Sequence, residues 1–592
     1  MGAFGLWRCA LSFCGSKVTI GQFSPVNSEI SRLRYASLSL EIVVSFVPSG
    51  EKSWTGLSRA HKSPGKQRAL VICTHLRPGR NKRRSRYMMQ PISGLHVASL
   101  IDQNLFDVTL YHEDWHGPFD PGSCAGYDLV FLTGLQPDFD RMRQLAYFFR
   151  RDGTIVVAGG SICTAFPEFA AQFFDVVCAG GVECAGAVIA DYLKGSLEKI
   201  YKLPIKQIGQ YKVDYGLFSK SGISPSVHLL ESSRGCSFRC SFCSIPSEVG
   251  AHASYDLSTL AGMLEGALKA APLWSFRRWY PIVLMLDNNF SDNRKHMLAV
   301  AELIRSHRKI RGWAALVTQN IISDRELVSK LAASKCFGLF VGLESLDRAM
   351  LQRFNKTQNL SRRQDVVGDI AFAESCGIAI SYGYLFDPCH QTGAHIEQQL
   401  RSIAENPLLP MPTYLSVVAP LAGTATFWAD LRSRRLAPNL RLRDLDGETL
   451  TYSNLADDPE VLAQLIEKIF RRPWEVVNRF GIVAKTVRRI LRSGTINPIR
   501  WYIIASANLH CFLWSRAEVS AFRSYRAGTD TLDPQYFERP HDLSDADRRR
   551  YFDPVVLTDG AGQPADWLVP YLNAHLPSEA HDSNKSFAGQ QS

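Results

Sequence analysis

The stretch Glu231-Ser-Ser-Arg-Gly-Cys-Ser-Phe-Arg-Cys-Ser-Phe-Cys243 places Cys236, Cys240 and Cys243 at the spacing C-x-x-x-C-x-x-C. Three thiolates on one short loop can hold three irons of a 4Fe–4S cube and leave the fourth iron open, whereas electron-transfer clusters normally take four thiolates. An open iron points to chemistry at the cluster. Structural zinc usually comes as two paired half-sites, and no second C-x-x-C pair follows. An aromatic residue, Phe242, directly precedes the last cysteine. The apolar run Val227–Glu231 before the loop reads as a strand.

Working outward, 592 residues with 46% hydrophobic content suffice for roughly two to four domains, each with its own core. The net charge of +11 is spread along the chain, and a pI near 9.0 permits nucleic-acid binding without arguing for it. The fourteen cysteines are too sparse for a disulfide framework. Outside the triplet, Cys73, Cys163, Cys178, Cys336 and Cys376 lie in or beside apolar runs and read as small core residues. That usage suits a reducing cytoplasm, the expected location. No apolar stretch is long and uncharged enough to span a membrane: Leu38–Val47 carries Glu41, and Trp501–Trp514 carries His510 and reads as a buried helix. Neither a myristoylation nor a secretory signal fits the first residues. No membrane or nucleic-acid partner is expected.

Residues 1–66 show no clear period and read as a poorly ordered N-terminal extension. From residue 67 the pattern changes. Ala69–Cys73, Asp107–Tyr111, Asp128–Leu132, Thr154–Ala158 and Asp175–Cys178 read as strands, with helical stretches at Pro91–Gln103, Met142–Arg150, Pro167–Phe173 and Ala185–Leu193. Five such alternations over 67–205 predict a doubly wound parallel sheet close to the flavodoxin-like order, with ligands beyond the carboxyl ends of the strands. Glycine-bearing turns fall at those ends: Thr133-Gly134, Gly159-Gly160-Ser161 and Gly180-Gly181. The loop Arg77–Arg86 carries six basic residues, which are either a solvated loop or a cap over an anionic group.

A second alternation covers 206–430, with strands at Val227–Glu231, Ile282–Leu286, Trp313–Val317, Gly338–Gly342, Ile378–Leu385 and Tyr414–Val418. It predicts a partial (β/α)6 barrel of TIM type, whose site would lie at the carboxyl ends of its strands. Residues 431–574 read as mainly helical, with amphipathic stretches at Pro459–Arg472 and Trp474–Arg492 expected to pack on the barrel mouth. Residues 575–592 read as a disordered tail.

The cysteine spacing with Phe242 resembles the cluster loop of the radical S-adenosylmethionine (SAM) enzymes. Ala158-Gly-Gly-Ser-Ile-Cys-Thr-Ala-Phe-Pro-Glu168 and Asp175-Val-Val-Cys-Ala-Gly-Gly-Val-Glu183 resemble the domain that defines the cobalamin (B12)-binding radical-SAM family. Leu286-Asp-Asn-Asn-Phe290, Val341-Gly-Leu-Glu-Ser345 with Leu351-x-x-Phe-Asn-Lys356, and Pro420-Leu-Ala-Gly-Thr424 follow in the family's order. Ala422 replaces the usual proline of the last motif, and the resemblance spans about residues 68–430.

The resemblance implies a 4Fe–4S cluster on Cys236, Cys240 and Cys243, SAM on its open iron, and cobalamin. It implies SAM contacts from Phe242, Asp287, Glu344 and Ser345, with helix capping by Asp287 or Asn289 as the structural alternative. It implies cobalamin contacts from Thr133, Gly134, Gly159, Gly160, Ser161, Gly180, Gly181 and Glu183. The glycines are expected to let the corrin or its nucleotide tail approach the backbone. The D-x-H-x-x-G motif of other cobalamin proteins is missing after the second strand, which leaves the lower cobalt ligand unassigned, with His116 and His75 as candidates. The implied activity is C-methylation of an unactivated carbon of a small molecule, with electrons from a flavodoxin or ferredoxin. Two alternatives stay open: a non-methylating oxidoreductase or cyclase with the same cofactors, and a cobalamin- or cluster-based sensor. No side chain is assigned to the chemical step.

Overall fold

The computed structural model describes residues 65–75, 92–203, 211–249, 252–360, 365–494, 496–513, 524–529 and 539–574. The N-terminal extension, the basic loop Arg77–Arg86 and the tail after residue 574 therefore lie outside the described residues.

Two open, all-parallel sheets organise the chain. The first comprises β1 (Gln67–Cys73), β2 (Phe106–His112), β3 (Leu129–Gly134), β4 (Ile155–Gly160), β5 (Val176–Gly180) and β6 (Ile200–Leu203), in the order β2-β1-β3-β4-β5-β6. The edge strand β6 adds to the five expected. Strands buried on both faces read as continuous apolar runs, and alternate residues of β1 enter opposite cores. Ala69, Val71 and Cys73 pack toward the helices Ser93–Leu100 and Cys184–Lys194, while Leu70 and Ile72 face the layer holding Phe139–Arg151.

The second sheet comprises β7 (His228–Leu230), β10 (Ile282–Met285), β11 (Gly312–Thr318), β12 (Cys336–Glu344), β13 (Ala379–Phe386) and β14 (Tyr414–Val417), in the order β14-β13-β12-β11-β10-β7. It is a half-barrel. Between β7 and β10 a short antiparallel ribbon, β8 (Ser233–Arg234) with β9 (Ala253–Ser254), flanks the cysteine loop. The outer helices start on side-chain caps from Asn293, Asp324, Asp365 and Thr392. The cap after β10 is thus Asn293, not Asp287 or Asn289.

The C-terminal part departs from its reading in three ways. Helices run over Pro459–Arg471, Arg479–Arg492 and Pro498–Leu513, but 433–458 and 553–565 are largely irregular. The last described segment folds back onto the first sheet, where Trp567 stacks on Phe169 at 3.9 Å and Phe169 N donates to Tyr571 Oη at 3.0 Å. The helix Pro498–Leu513, expected to be buried, leaves Tyr502 in its second turn exposed and buries Ile504 and Asn508. Among the described residues no helix is long and apolar enough to cross a membrane.

Candidate active site at the carboxyl ends of the half-barrel strands

The cysteine loop leaves the carboxyl end of β7 and is held from three sides. The first brace is the run after β10. Asp287 Oδ1 accepts from Ser232 N at 2.9 Å, and its Oδ2 accepts from Ser232 Oγ and Ser233 Oγ at 2.6 and 2.5 Å. Asn288 Oδ1 accepts from Gly235 N at 2.9 Å, and Asp292 Oδ1 accepts from Ser237 N and Oγ at 3.0 and 2.8 Å. The second brace follows β12. Ser241 N donates to Phe354 O at 2.9 Å, Asn355 Nδ2 donates to Arg239 O at 2.8 Å, and Phe354 meets Phe242 edge-on at 5.5 Å. The third is Thr426 Oγ1, which donates to Ser241 O at 2.8 Å from the helix after β14.

The three thiols are half-buried and free of disulfides. Two of them accept side-chain N–H groups: Cys236 Sγ from Asn289 Nδ2 at 3.6 Å and Cys240 Sγ from Gln358 Nε2 at 3.5 Å. Burial pushes the Cys243 thiol up to about 11, and the neighbouring Cys240 and Cys236 add to the rise while Lys356 opposes it. Among the described residues no three His, Cys, Asp or Glu side chains converge on one point that a single metal ion would fill. A cube, by contrast, takes one thiolate per iron and spreads its ligands. Three half-buried free thiols on one loop, two with N–H partners, fit a cluster of that kind.

At the end of β12 the backbone of Glu344 takes a left-handed φ of 62°, an unusual conformation for a non-glycine residue. It aims the carboxylate at Lys356, whose Nζ donates to Oε1 at 2.6 Å and also lies 5.5 Å over the Phe242 ring. Ser345 is buried, and its Oγ accepts from Asp347 N at 3.0 Å. Asp287 does not share this position. It is fully buried, with three hydrogen bonds spent on the strand end before the cysteines, and burial raises its carboxyl above the ordinary range. It positions the loop, and the expected acceptor role toward a SAM ammonium has at most one acceptor site left.

The first sheet brings its carboxyl edge to the same region. Thr133 and Gly134 end β3, Gly159 and Gly160 end β4, Ser161 opens the next helix, Gly180 ends β5 and Gly181 follows it. Gln136, just past β3, grips the turn after β14: its Oε1 accepts from Ala422 N at 2.8 Å and its Nε2 donates to Ala422 O at 3.1 Å. Two of the glycines have a reason within the sheet itself. A Cβ on Gly160 (φ 113°) would sit 2.3 Å from Gly134 O, and one on Gly180 (φ 127°) 2.6 Å from Leu203 O. Neighbouring strands demand those glycines. Gly159 is the one of the three where a Cβ would make only ordinary contact, 3.7 Å from Cys178 Cβ.

Between the two sheets lies a buried arginine that sequence reasoning passed over. Arg234 Nη1 meets Glu183 Oε1 at 2.7 Å, and Nε binds Glu231. Its Nη2 donates to Tyr255 Oη, Tyr211 Oη and His96 Nδ1 at 2.6, 3.1 and 3.2 Å. Glu183, expected at cobalamin, pairs through Oε1 with Arg234 of the cysteine segment. Of the candidate cobalt ligands, His116 is buried, with Nδ1 accepting from His112 N at 3.0 Å and Nε2 against Ser221 O at 2.7 Å. Its ring serves the fold. His75 lies 3.9 Å from Asp114. Arg234, Asn289 and Lys356 stood inside the quoted motifs, but Glu183 and His96 lie 51 and 138 positions from Arg234, and Cys236 lies 53 from Asn289, so those contacts left no local signal.

Residues 230–371 match the family model described as the Radical SAM superfamily, so this segment is a radical-SAM domain. It is similar to the bacteriochlorophyllide d C-8(2)-methyltransferase of Chlorobaculum tepidum, 24% identical over 345 residues, covering 56% of this chain and 72% of that one. The bacteriochlorophyllide d C-12(1)-methyltransferase of the same organism is 24% identical over 410 residues, covering 67% and 84%. Among solved structures, the cobalamin-dependent S-adenosylmethionine radical enzyme OxsB with aqua-cobalamin and S-adenosylmethionine bound superposes with a TM-score of 0.52. It is 15% identical and covers 76% of this chain and 72% of that one, a likeness of fold.

Proposed function

We propose that this radical-SAM protein is a cobalamin-dependent C-methyltransferase of a small-molecule substrate. The observation that carries the reading is the meeting of two carboxyl edges: the cysteine loop of the half-barrel is tied to the first sheet through Arg234–Glu183, and the turn after β14 through Gln136–Ala422. The order β2-β1-β3-β4-β5 within the first sheet is that of flavodoxin-like domains, which bind ligands outside the carboxyl ends of their strands. That supports a flavodoxin-like, cobalamin-binding first domain. The relatives named as methyltransferases support methyl transfer.

When bound, the cluster and SAM supply a 5′-deoxyadenosyl radical, and cobalamin supplies the methyl group. The chain's residues position these groups. Cys236, Cys240 and Cys243 hold three irons, and the N–H groups of Asn289 and Gln358 on two sulfurs tune the cluster's potential. Glu344, Ser345 and Phe242 line the SAM side, with Lys356 offsetting the charge of Glu344. Thr133, Gly134, Gly159, Ser161 and Gly181 face cobalamin from the first sheet. A flavodoxin or ferredoxin supplies the electron.

The full chain, reconstituted without oxygen and supplied with hydroxocobalamin, reductant and methyl-labelled SAM, tests this in a cell extract that provides substrate. The expected result is a labelled product with 5′-deoxyadenosine and S-adenosylhomocysteine in equal amounts. 5′-Deoxyadenosine without S-adenosylhomocysteine would establish the non-methylating alternative, and neither product would leave a sensor.

A further inference from the structure

The helix Arg479–Arg492 is built inside out. Its buried face carries Lys485, Thr486 and Arg489 beside Ile482. Lys485 Nζ binds Ile403 O, Thr486 Oγ1 accepts from Asn508 Nδ2, and Arg489 pairs with Glu374. Its outer face carries Phe480, Val483, Val487 and Leu491, one stripe at helical spacing, with Phe480 76% and Leu491 75% exposed. Surface helices of water-soluble proteins do the reverse. An exposed large apolar patch is the informative departure.

The stripe continues beyond the helix. Ile496 is 90% exposed, and Asn497 Nδ2 donates at 3.4 Å to Tyr280 Oη, which brings the segment 273–280 alongside. That segment exposes Leu273, Trp274, Phe276 and Trp279, with Trp274 at 78%, and the Trp279 indole is pinned to Leu273 O at 2.8 Å. The surface lies at the amino ends of the half-barrel strands, because Ser493 and Arg500 line a crevice with Phe337 and Gly377 where β12 and β13 begin. It is therefore on the side away from the cysteine loop.

The charge around the stripe selects the occupant. From Val476 to Leu513 the chain contains no Asp or Glu, and of its Lys and Arg residues Lys485 and Arg489 are turned inward. Arg479, Arg488 and Arg492 are exposed on the helix, and Arg278, Arg308, Lys309 and Arg311 are exposed at the starts of β10 and β11. Apolar and aromatic side chains in a basic surround match the interface of an anionic bilayer, where Trp and Tyr favour the headgroup level. We infer that this face is a membrane-surface site, on which the protein rests on anionic lipid without spanning it. The expectation of no membrane partner rested on a lengthwise search for spans, and such a search does not detect a helix that lies flat.

Flotation of the full chain with vesicles of phosphatidylglycerol and phosphatidylcholine, against phosphatidylcholine alone, tests the site. The wild type floats with the anionic vesicles and dissociates as salt is raised. Phe480→Ser/Leu491→Ser/Ile496→Ser lowers partitioning by about a hundredfold, since three inserted apolar groups are lost together. Arg488→Glu/Arg492→Glu lowers binding to the anionic vesicles alone. All five positions are exposed, so an unchanged melting temperature is the folding control. Absence of flotation, or flotation indifferent to the triple variant, overturns the inference. So does a dimer in sedimentation velocity that the triple variant dissociates, because the occupant is then a second copy.

Discussion

Arg234, two residues before the first cysteine of the loop, is bound at 2.7 Å to Glu183, which follows the last glycine turn of the other sheet. One side chain thus ties the two candidate cofactor regions together. Its guanidinium is nearly buried and shares a second carboxylate, Glu231, so its loss leaves two carboxylates without their partner. Arg234→Ala is expected to destabilise the fold by about 3–5 kcal/mol. Arg234→Lys does not rescue it, because one ammonium cannot reproduce the fork that reaches Glu183, Glu231 and the tyrosines. Urea denaturation of the three proteins measures both effects.

Glu231 gives this network a pH dependence. Burial pushes its carboxyl up to about 7, against the opposing pull of Arg234. An acid raised in the folded state binds more protons there than when unfolded, so its contribution is complete below about 4.5 and is lost as pH rises toward 7. The part of the stability that Glu231 contributes should therefore fall across that window. Glu231→Gln should flatten the slope, as read from urea midpoints at several pH values.

The cysteines are tested one at a time. Cys236→Ala, Cys240→Ala and Cys243→Ala should each lose most of the iron and the brown absorbance after anaerobic reconstitution, with no loss of folded protein. A variant keeping four irons per chain would free that cysteine from the cluster.

Glu344 and Lys356 should act on SAM and not on iron. Glu344→Gln and Lys356→Met are each expected to weaken SAM binding by about tenfold, the size of losing one charge-assisted hydrogen bond, while iron content stays at wild type. Equilibrium dialysis with labelled SAM reads the first and iron analysis the second. Asp287→Ala, by releasing Ser232 and Ser233, should lower both together.

The glycines separate folding from ligand contact. Gly160→Val should destabilise the protein by at least about 1–3 kcal/mol, from backbone strain at φ 113° before the clash with Gly134 O is counted. Gly159→Val meets no such obstacle in the sheet and should lower corrin occupancy, measured by absorbance after reconstitution, with a nearly unchanged melting temperature.

The strands were legible because parallel strands buried on both faces must be apolar throughout, so β1, β3, β4 and β10 stand out as short runs between turns. β6 was missed for the complementary reason. As an edge strand of sequence Ile-Tyr-Lys-Leu, with Lys202 and Leu203 exposed, it never needed such a run. At the site, residue chemistry was legible and direction was not. Asp287 reads as a carboxylate at a strand end whether it turns toward a ligand or, as found, toward Ser232 and Ser233. The helix Arg479–Arg492 shows the same limit. Its period was plain, but period alone cannot say which face turns inward, and here it is the polar one, away from the barrel mouth where packing was expected.

The contact of Trp567 with Phe169 also bears on the order of events during synthesis. The two rings are 398 positions apart, so at about 5–20 residues per second the ribosome needs roughly 20–80 s to deliver the second after the first. Throughout that interval one face of the first sheet lacks its final cover. The nascent chain therefore passes through a stage in which this sheet and the cysteine loop are both made while the closing segment is not yet translated. A chaperone that shields Phe169 and its neighbours would have that stage in which to act.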